Sequence, residues 1–158
     1  MADRTGYTSP LSTRYSSNEM QYVFSEEFKF RTWRRLWISL AKAEKQLGLD
    51  LTDEQIADLE AHAADINFEV AEARERIVRH DVMSHVYAYG VQCPKAEPII
   101  HLGATSCYVG DNTDVIILRE ASRLVLKKAA RVIKNLAVFA DKYKAFFLMI
   151  RRPPRSTL

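Results

Sequence analysis

Apolar residues along most of the chain recur at the three- and four-residue steps of amphipathic helices. The first such stretch follows Ser25, a suitable N-cap residue, and stops before Gly48, which predicts a helix between these two positions. Its apolar positions are Trp33, Leu36, Trp37, Leu40, Ala41 and Leu47. Thr52 to Gln55 has the sequence of a capping box, so a second helix is expected to begin there.

The same periodicity predicts a third helix over 67–78 and a fourth from Asp81 to about Gln92, before two prolines interrupt the pattern. Residues 1–24 contain a turn-prone segment around Pro10 and are expected to form an irregular arm.

The last predicted element is a long helix over about 112–143, a stretch without Gly or Pro. At 1.5 Å per residue it would be about 50 Å long, more than one small domain needs. Such a helix needs partners along its length, either later parts of a longer chain or other subunits. Because no strand pattern or internal repeat is found, the expected fold class is all-α.

Composition places the chain among ordinary globular proteins and excludes wholesale disorder. It has 158 residues, of which 47% are hydrophobic and 27% charged, as expected for about one domain. The formal net charge is +3, and the sequence pI is about 8.9. The whole excess lies in residues 146–158, which carry three arginines and no acid, so the pI says little about the partners of the remaining chain.

Cysteine content and the first residues point to the cytoplasm. Cys93 and Cys107 are too few for a disulfide framework and are expected to be free thiols of a reducing compartment. The N-terminus has no apolar segment of the signal-peptide kind, and the longest apolar run is five residues, too short for a membrane span.

Three short segments carry side chains suited to an anionic substrate. In the first, Arg14 could hold a phosphate or carboxylate bidentately, and the Tyr15 hydroxyl could donate beside it. The alternative for this segment is a solvent-exposed arginine and a tyrosine that packs the arm down.

In the second segment, Arg79 and His80 lie where a helix is expected to start, and free backbone N–H groups there favour anions. Asp81 is one turn before His85 and could orient that imidazole. A metal site is not expected, since His80 and His85 do not share a helix face. The alternatives are a capping role for Asp81 and a packed His85.

The third segment, Gly103-Ala104-Thr105-Ser106, offers two hydroxyl donors in a loop of small residues. It is not a Walker loop, because no lysine stands at the required spacing. The alternative is a plain turn that leads through Gly110-Asp111-Asn112-Thr113 to the N-cap of the long helix.

Taken together, these motifs resemble the adenylosuccinate lyases of the eukaryotic type, in the fumarase/aspartase superfamily. The resemblance covers about residues 8–144. It is carried by Ser9–Tyr15 (SPLSTRY), Lys29–Arg34 (KFRTWR), Arg79–Met83 (RHDVM) and His101–Asp114 (HLGATSCYVGDNTD).

The resemblance implies an all-α N-terminal domain over 25–110, after the substrate-contacting arm of 1–24. Residues 111–145 would then start a central helix bundle that is shared in a homotetramer.

The reaction that the resemblance implies is β-elimination of fumarate, without a metal or organic cofactor. The substrates would be adenylosuccinate, which gives AMP, and the succinyl-carboxamide ribotide of purine biosynthesis.

Site residues are carried over from the resemblance position by position. Arg14 and Tyr15 would contact the nucleotide phosphate, and Thr105 and Ser106 the succinyl or fumarate carboxylates. Arg79, His80 and Asp81 would form a substrate-binding triplet, in which His80 positions the reacting groups electrostatically.

The sequence departs from the family pattern after Ala145. Neither the Thr-His segment that supplies the general acid nor the mobile loop that supplies the base serine is found in the 158 residues. Residues 146–158 instead form a basic tail unlike the family. The expectation is therefore an inactive N-terminal fragment.

Two other functions remain open on the sequence alone. One is a helical interaction module whose basic tail binds nucleic acid or anionic lipid. The other is a sister lyase of the superfamily, acting on argininosuccinate or acting as a fumarase.

Overall fold

The computed structural model describes residues 7–146 and shows helices and no strand within them. A short π-helix (Leu11–Tyr15) and a 3₁₀ turn (Glu97–Ile99) accompany six α-helices. The α-helices are α1 (Asn18–Val23), α2 (Glu26–Gln46), α3 (Asp53–Ala61), α4 (Phe68–Val78), α5 (Asp81–Gln92) and α6 (Ser106–Tyr143). The all-α prediction is confirmed.

Helices α2 and α3 begin at the caps predicted from the sequence. The Ser25 hydroxyl accepts the backbone N–H of Phe28 at 3.2 Å, and acidic residues fill the first turn of α2. Gly48 follows the end of α2 with a φ of 92°, a conformation that suits glycine. At α3 the reciprocal bonds between Thr52 and Gln55 form the capping box.

The arm before α2 contains more helix than its sequence predicts. Residues 11–15 and α1 are helical, whereas an irregular segment was expected over 1–24. The Ser17 hydroxyl accepts the N–H of Met20 at 3.4 Å, and Glu19 lies in the first turn. Six residues are too short for a periodicity argument, so the cap was the available signal.

A hydrophobic core with large aromatic side chains at its centre lies between α2, α3 and α5. Its most deeply buried large side chains are Trp33, Trp37, Tyr89 and Leu59. The Tyr89 hydroxyl donates to the carbonyl of Leu59 at 2.6 Å, which satisfies the polar end of a buried ring. The core therefore supports the loops that surround it.

One cation, Arg34, is buried beside that core and bonded on several sides. Its Nη1 donates to the carbonyls of His62 and Asp65, the latter at 2.7 Å, and its Nη2 donates to Oε1 of Gln92 at 2.5 Å. The guanidinium also lies 4.2 Å from the centroid of the Tyr89 ring. Arg34 thus ties the connection between α3 and α4 to α2 and α5.

The chain divides into two compact units, Met1–Ala121 and Ser122–Leu158. Within the first unit, α6 begins at Ser106, about six residues earlier than the sequence predicted, and buries Val109 and Thr113. Gly110-Asp111-Asn112-Thr113 is therefore part of the helix and not a loop before it. Asn112 makes no N-cap but donates from Nδ2 to the carbonyl of Tyr108 at 2.7 Å.

In the second unit, the described part of α6 exposes large apolar side chains. They are Val125, Leu126, Val132, Ile133, Leu136, Val138, Phe139 and Tyr143. Among the helices of residues 7–146, none combines the length and the hydrophobicity that a membrane span requires. The predicted basic tail, apart from Phe146, lies outside the described residues.

Candidate functional site

Two residues of the predicted substrate segments have a backbone conformation that L-amino acids seldom adopt. Among residues 7–146, Arg79 and His101 are the non-glycine residues with positive φ, at 55° and 66°. Holding a non-glycine residue there costs on the order of 1 kcal/mol, and such strain concentrates at functional sites. Arg79 lies just before the start of α5, and His101 lies in the loop before α6.

Arg79 joins α4 to α5 and leaves its side chain exposed. Its N–H donates to the carbonyl of Glu75 at 2.8 Å and ends α4 in the left-handed region, where glycine is usual. The guanidinium makes no ion pair with a described residue, so its five donors are free for a ligand.

His80 is the N-cap of α5, a role that the sequence analysis considered for Asp81. Its Nδ1 accepts the N–H of Met83 at 3.3 Å, so the neutral ring carries its proton on Nε2. No hydrogen bond within residues 7–146 uses that Nε2–H, and the side chain is 45% exposed. Capping α5 therefore orients a free donor at the surface.

Asp81 faces Lys29 and does not orient His85. One carboxylate oxygen accepts the N–H of Val82 at 2.7 Å, and the other lies 3.7 Å from Nζ of Lys29. The Lys29 ammonium is itself over the ring of Trp33, 4.8 Å from the centroid. Within the described residues no hydrogen bond joins Asp81 to His85, so the predicted orienting contact is absent.

His85 is a core residue, as the structural alternative proposed. Its ring stacks on Phe30 with a centroid distance of 3.6 Å, and the residue is 7% exposed. Burial, with the nearby charge of Arg34 as the next cause, lowers the pKa of His85 to about 4. The imidazole is therefore neutral near pH 7 and unavailable to a ligand.

The site contains a second imidazole, His101, which was not selected from the sequence. Nε1 of Trp37 donates to Nδ1 of His101 at 3.0 Å, which again leaves the ring proton on Nε2. Burial and the neighbouring His80 lower the pKa of His101. In the sequence, His101 could have been considered because it stands two residues before Gly103. Its hydrogen-bond partner Trp37 lies 64 positions earlier, and no sequence pattern indicates that contact.

Thr105 and Ser106 stand at the first turn of α6, a few residues after His101. Oγ1 of Thr105 accepts the N–H of Cys107 at 3.3 Å, so its hydroxyl proton remains available. Gly103, with a φ of 63°, bends the chain into this turn. The two hydroxyls therefore lie where α6 begins, which is earlier in the chain than expected.

Glu44 is an acidic group beside this loop that the sequence analysis missed. Its Oε1 lies 3.7 Å from the point where a Cβ on Gly103 would be, and its Oε2 is buried without a partner. Burial raises the pKa of Glu44. A side chain at position 103 would therefore contact the carboxyl group.

Arg14 and Tyr15 are exposed within the π-helix of the arm. The guanidinium of Arg14 lies 5.4 Å from the ring centroid of Tyr15. No hydrogen bond, ion pair or ring contact among residues 7–146 connects either one to Arg79, His80 or Asp81. The structure thus brings His80, Asp81 and His101 to one region.

Across residues 7–146, no group of three or more histidine, cysteine, aspartate or glutamate side chains could hold a metal ion. Apart from the carboxyl groups of Asp81 and Glu44, the polar groups of the site are N–H and O–H donors and one guanidinium, a set that suits phosphate and carboxylate oxygens.

Comparison with known proteins gives one consistent family name. The chain is 48% identical over 145 residues to an adenylosuccinate lyase of Schistosoma mansoni, and 51% identical over 147 residues to that of Saccharomyces cerevisiae. The adenylosuccinate lyase of Aquifex aeolicus is 30% identical over 139 residues. The first two alignments cover 92% and 91% of this chain but 30% of each relative, and no protein-family model matches it.

Proposed function

We propose that this chain, which is 48% and 51% identical to two adenylosuccinate lyases, supplies substrate-binding segments of an enzyme that eliminates fumarate from adenylosuccinate. The products would be fumarate and AMP, and the succinyl-carboxamide ribotide of purine biosynthesis would react in the same way. Because the chain spans about 30% of the length of these relatives, the remaining segments of such an enzyme lie outside the sequence given.

The observation that carries the proposal is the pair of strained residues, Arg79 and His101, with His80 close enough to His101 to lower its pKa. Arg79 would attract the anionic substrate, and the Nε2–H of His80 would donate to a developing negative charge. Asp81, held next to Lys29, would accept from a substrate hydroxyl or amine. His101 would add a neutral N–H donor.

The other predicted contacts follow from the same chemistry. Thr105 and Ser106 would bind the carboxylates of the succinyl group, and Arg14 and Tyr15 the nucleotide phosphate. These segments would serve different pockets of a homotetramer. The enzyme would act in the cytoplasm and use neither metal nor organic cofactor.

The first experiment is an assay of fumarate release from adenylosuccinate by purified 1–158. We expect no turnover, since the general-acid and general-base segments of the family are absent from these residues and each contributes about 10²–10⁴-fold. Turnover at the rate of a complete family member would contradict the assignment of proton transfer to segments outside this chain.

The second experiment measures binding of adenylosuccinate to the same chain by calorimetry. His80→Ala and Arg79→Ala should each weaken binding by about tenfold or more, because a charged or charge-assisted hydrogen bond contributes about 1.5–3 kcal/mol. Arg76→Ala is the matched control: it removes an arginine of α4 that pairs with Glu72. Equal losses in Arg79→Ala and Arg76→Ala would show non-specific charge attraction, and wild-type binding by His80→Ala would overturn the role of the imidazole.

A further inference from the structure

A hydrogen bond from a buried tryptophan to His101 connects the core to the proposed substrate site. Nε1 of Trp37 donates to Nδ1 of His101 at 3.0 Å, and the two rings meet edge to face with centroids 6.0 Å apart. Trp37 lies on α2 and is 2% exposed, whereas His101 is half-buried in the loop before α6. The imidazole is therefore held on one side by a residue that packing fixes.

The chemistry of the indole decides which nitrogen of His101 carries the proton. An indole N–H can only donate, so the nitrogen that it meets must have a free lone pair. Nδ1 of His101 is therefore unprotonated, and the proton of the neutral imidazole lies on Nε2. Because protonation would place a hydrogen on Nδ1 and break this bond, the bond also favours the neutral ring.

Two titratable groups lie near His101 on other elements, His80 at the start of α5 and Glu44 on α2. Burial, with His80 as the second cause, lowers the pKa of His101. Burial also raises the pKa of Glu44, beside Gly103, which works against the carboxylate charge that could stabilise an imidazolium. The surroundings of His101 thus favour the same neutral form as the indole does.

Packing alone does not require this bond. Trp33 lies on the same helix one turn earlier and is 1% exposed, and its Nε1 makes no hydrogen bond with a described residue. The core thus tolerates a buried indole N–H without an acceptor. The acceptor for Trp37, in contrast, belongs to a residue with a φ of 66°, which L-amino acids disfavour. A bond formed despite this strain indicates a use for the imidazole itself.

The second ring nitrogen of His101 remains free. No hydrogen bond within residues 7–146 uses its Nε2. His80, near enough to affect His101, also accepts at Nδ1 and leaves its Nε2–H without a described partner. The region therefore contains two imidazoles that are each engaged at Nδ1 and can donate from Nε2.

We propose that Trp37 is a positioning residue of the substrate site: its indole N–H fixes His101 as a neutral imidazole whose Nε2–H donates to an oxygen of the anionic substrate. Trp37 does not touch the substrate and acts through His101. The assignment of this donor to the substrate rests on the proposed function, whereas the control of the His101 proton by Trp37 does not.

The first test is ¹⁵N NMR of the imidazole nitrogens of the 158-residue chain between pH 8 and pH 5. The chain has four histidines, and the signals lost in His101→Asn identify the ring of interest. We expect one tautomer at pH 8, with the proton of His101 on Nε2, and protonation only below the ordinary histidine pKa of 6.5. A proton on Nδ1, or a mixture of tautomers, would overturn the proposal in the wild type alone.

A pair of matched tryptophan variants isolates the indole N–H. Trp37→Phe keeps an aromatic ring in the core, and it should lower the excess of the Nε2–H tautomer by about tenfold, since the other tautomer no longer leaves a buried donor unpaired. The pKa of His101 should also rise towards 6.5. Trp33→Phe makes the same change at an unbonded indole and should leave His101 as in the wild type. Equal spectra of His101 in the two variants would refute the role of Trp37.

The second test compares adenylosuccinate binding by wild type and Trp37→Phe at pH 8 and pH 6, by calorimetry. Trp37→Phe should weaken binding by about two- to fivefold at pH 8 and by less at pH 6, where a protonated His101 again donates from Nε2. His80 titrates in both proteins. An equal loss at both pH values would show a loosened core and overturn the positioning role. If neither protein binds adenylosuccinate but the NMR results are as expected, the proposed function fails and the control of His101 by Trp37 stands.

Discussion

Acid should destabilise the first unit of this protein through one buried imidazole, His85. The ring stacks on Phe30 and meets the edge of Trp33 with a centroid distance of 5.6 Å. Burial chiefly, then Arg34 and to a lesser degree Lys29, lower its pKa, and Asp81 opposes them. Protonation would therefore place a second cation beside Arg34 in the core.

The sign and size of the effect follow from proton linkage. The pKa of His85 is about 4 in the folded chain, against 6.5 for an unperturbed histidine. Above pH 6.5 neither state binds the proton, and the stability contribution is complete. As the pH falls from 6.5 to 4, the unfolded chain binds a proton that the folded chain does not. At about 1.4 kcal/mol per pKa unit, the free energy of unfolding should drop by about 3 kcal/mol.

Urea unfolding at a series of pH values between 7 and 4 measures this drop. Fluorescence of Trp33 and Trp37 reports on the relevant core, because both residues are at most 2% exposed. His85→Phe keeps an aromatic ring against Phe30 but removes the titrating group. Carboxylates titrate in both proteins, so the difference between the two pH profiles isolates His85.

The expected result is a profile for His85→Phe that is flatter than the wild-type profile by about 3 kcal/mol. Tyr87→Phe, a conservative change on the exposed face of the same helix, should retain the wild-type slope. If His85→Phe loses as much stability between pH 6.5 and 4 as the wild type does, the buried neutral imidazole is not the cause and the argument is refuted.

Three further substitutions test the structural assignments by thermal or urea unfolding. Thr52→Ala should cost about 1 kcal/mol by removing the cap of α3, whereas an exposed change such as Asp50→Ala should cost little. Arg34→Met should cost on the order of 3 kcal/mol or more, because two carbonyls and Gln92 lose their buried donor; an unchanged stability would contradict the network. Arg79→Gly should raise stability by about 1 kcal/mol while weakening adenylosuccinate binding, and a loss of stability would show that the left-handed backbone is not strained.

The helices were predictable wherever local chemistry decides them. The caps at Ser25 and Thr52, and the glycine after α2, each act through bonds or backbone preferences within a few residues. The start of α6 was misplaced because Gly110 and the polar residues after it have the composition of a turn. The burial of Val109 and Thr113 within the first unit outweighs the local preference of these residues for a turn.

The site was only partly predictable, because its geometry depends on distant contacts. Arg79, His80 and Asp81 were recognisable as a cluster of suitable side chains next to a helix start. That His80 caps the helix, and that Lys29 faces Asp81, requires α2 to lie beside α5. The bond from Trp37 to His101 spans 64 positions, and no periodicity within either segment indicates it.

The conformations of Arg79 and His101 give a physical reason to separate function from packing. At both positions glycine would fit the backbone with less strain. At position 101 the imidazole accepts the N–H of buried Trp37, whereas the Arg79 side chain is exposed, so folding alone does not account for that side chain. His85 shows the opposite pattern: its backbone is ordinary helix, its ring is stacked in the core, and its imidazole is held neutral. Of the two histidines on either side of Asp81, His85 is packed in the core, and His80, adjacent to the strained junction, is the one for which we propose ligand chemistry. A residue such as Arg79 is held in a backbone conformation that its side chain disfavours. Replacing it with glycine should therefore change stability and ligand binding in opposite directions.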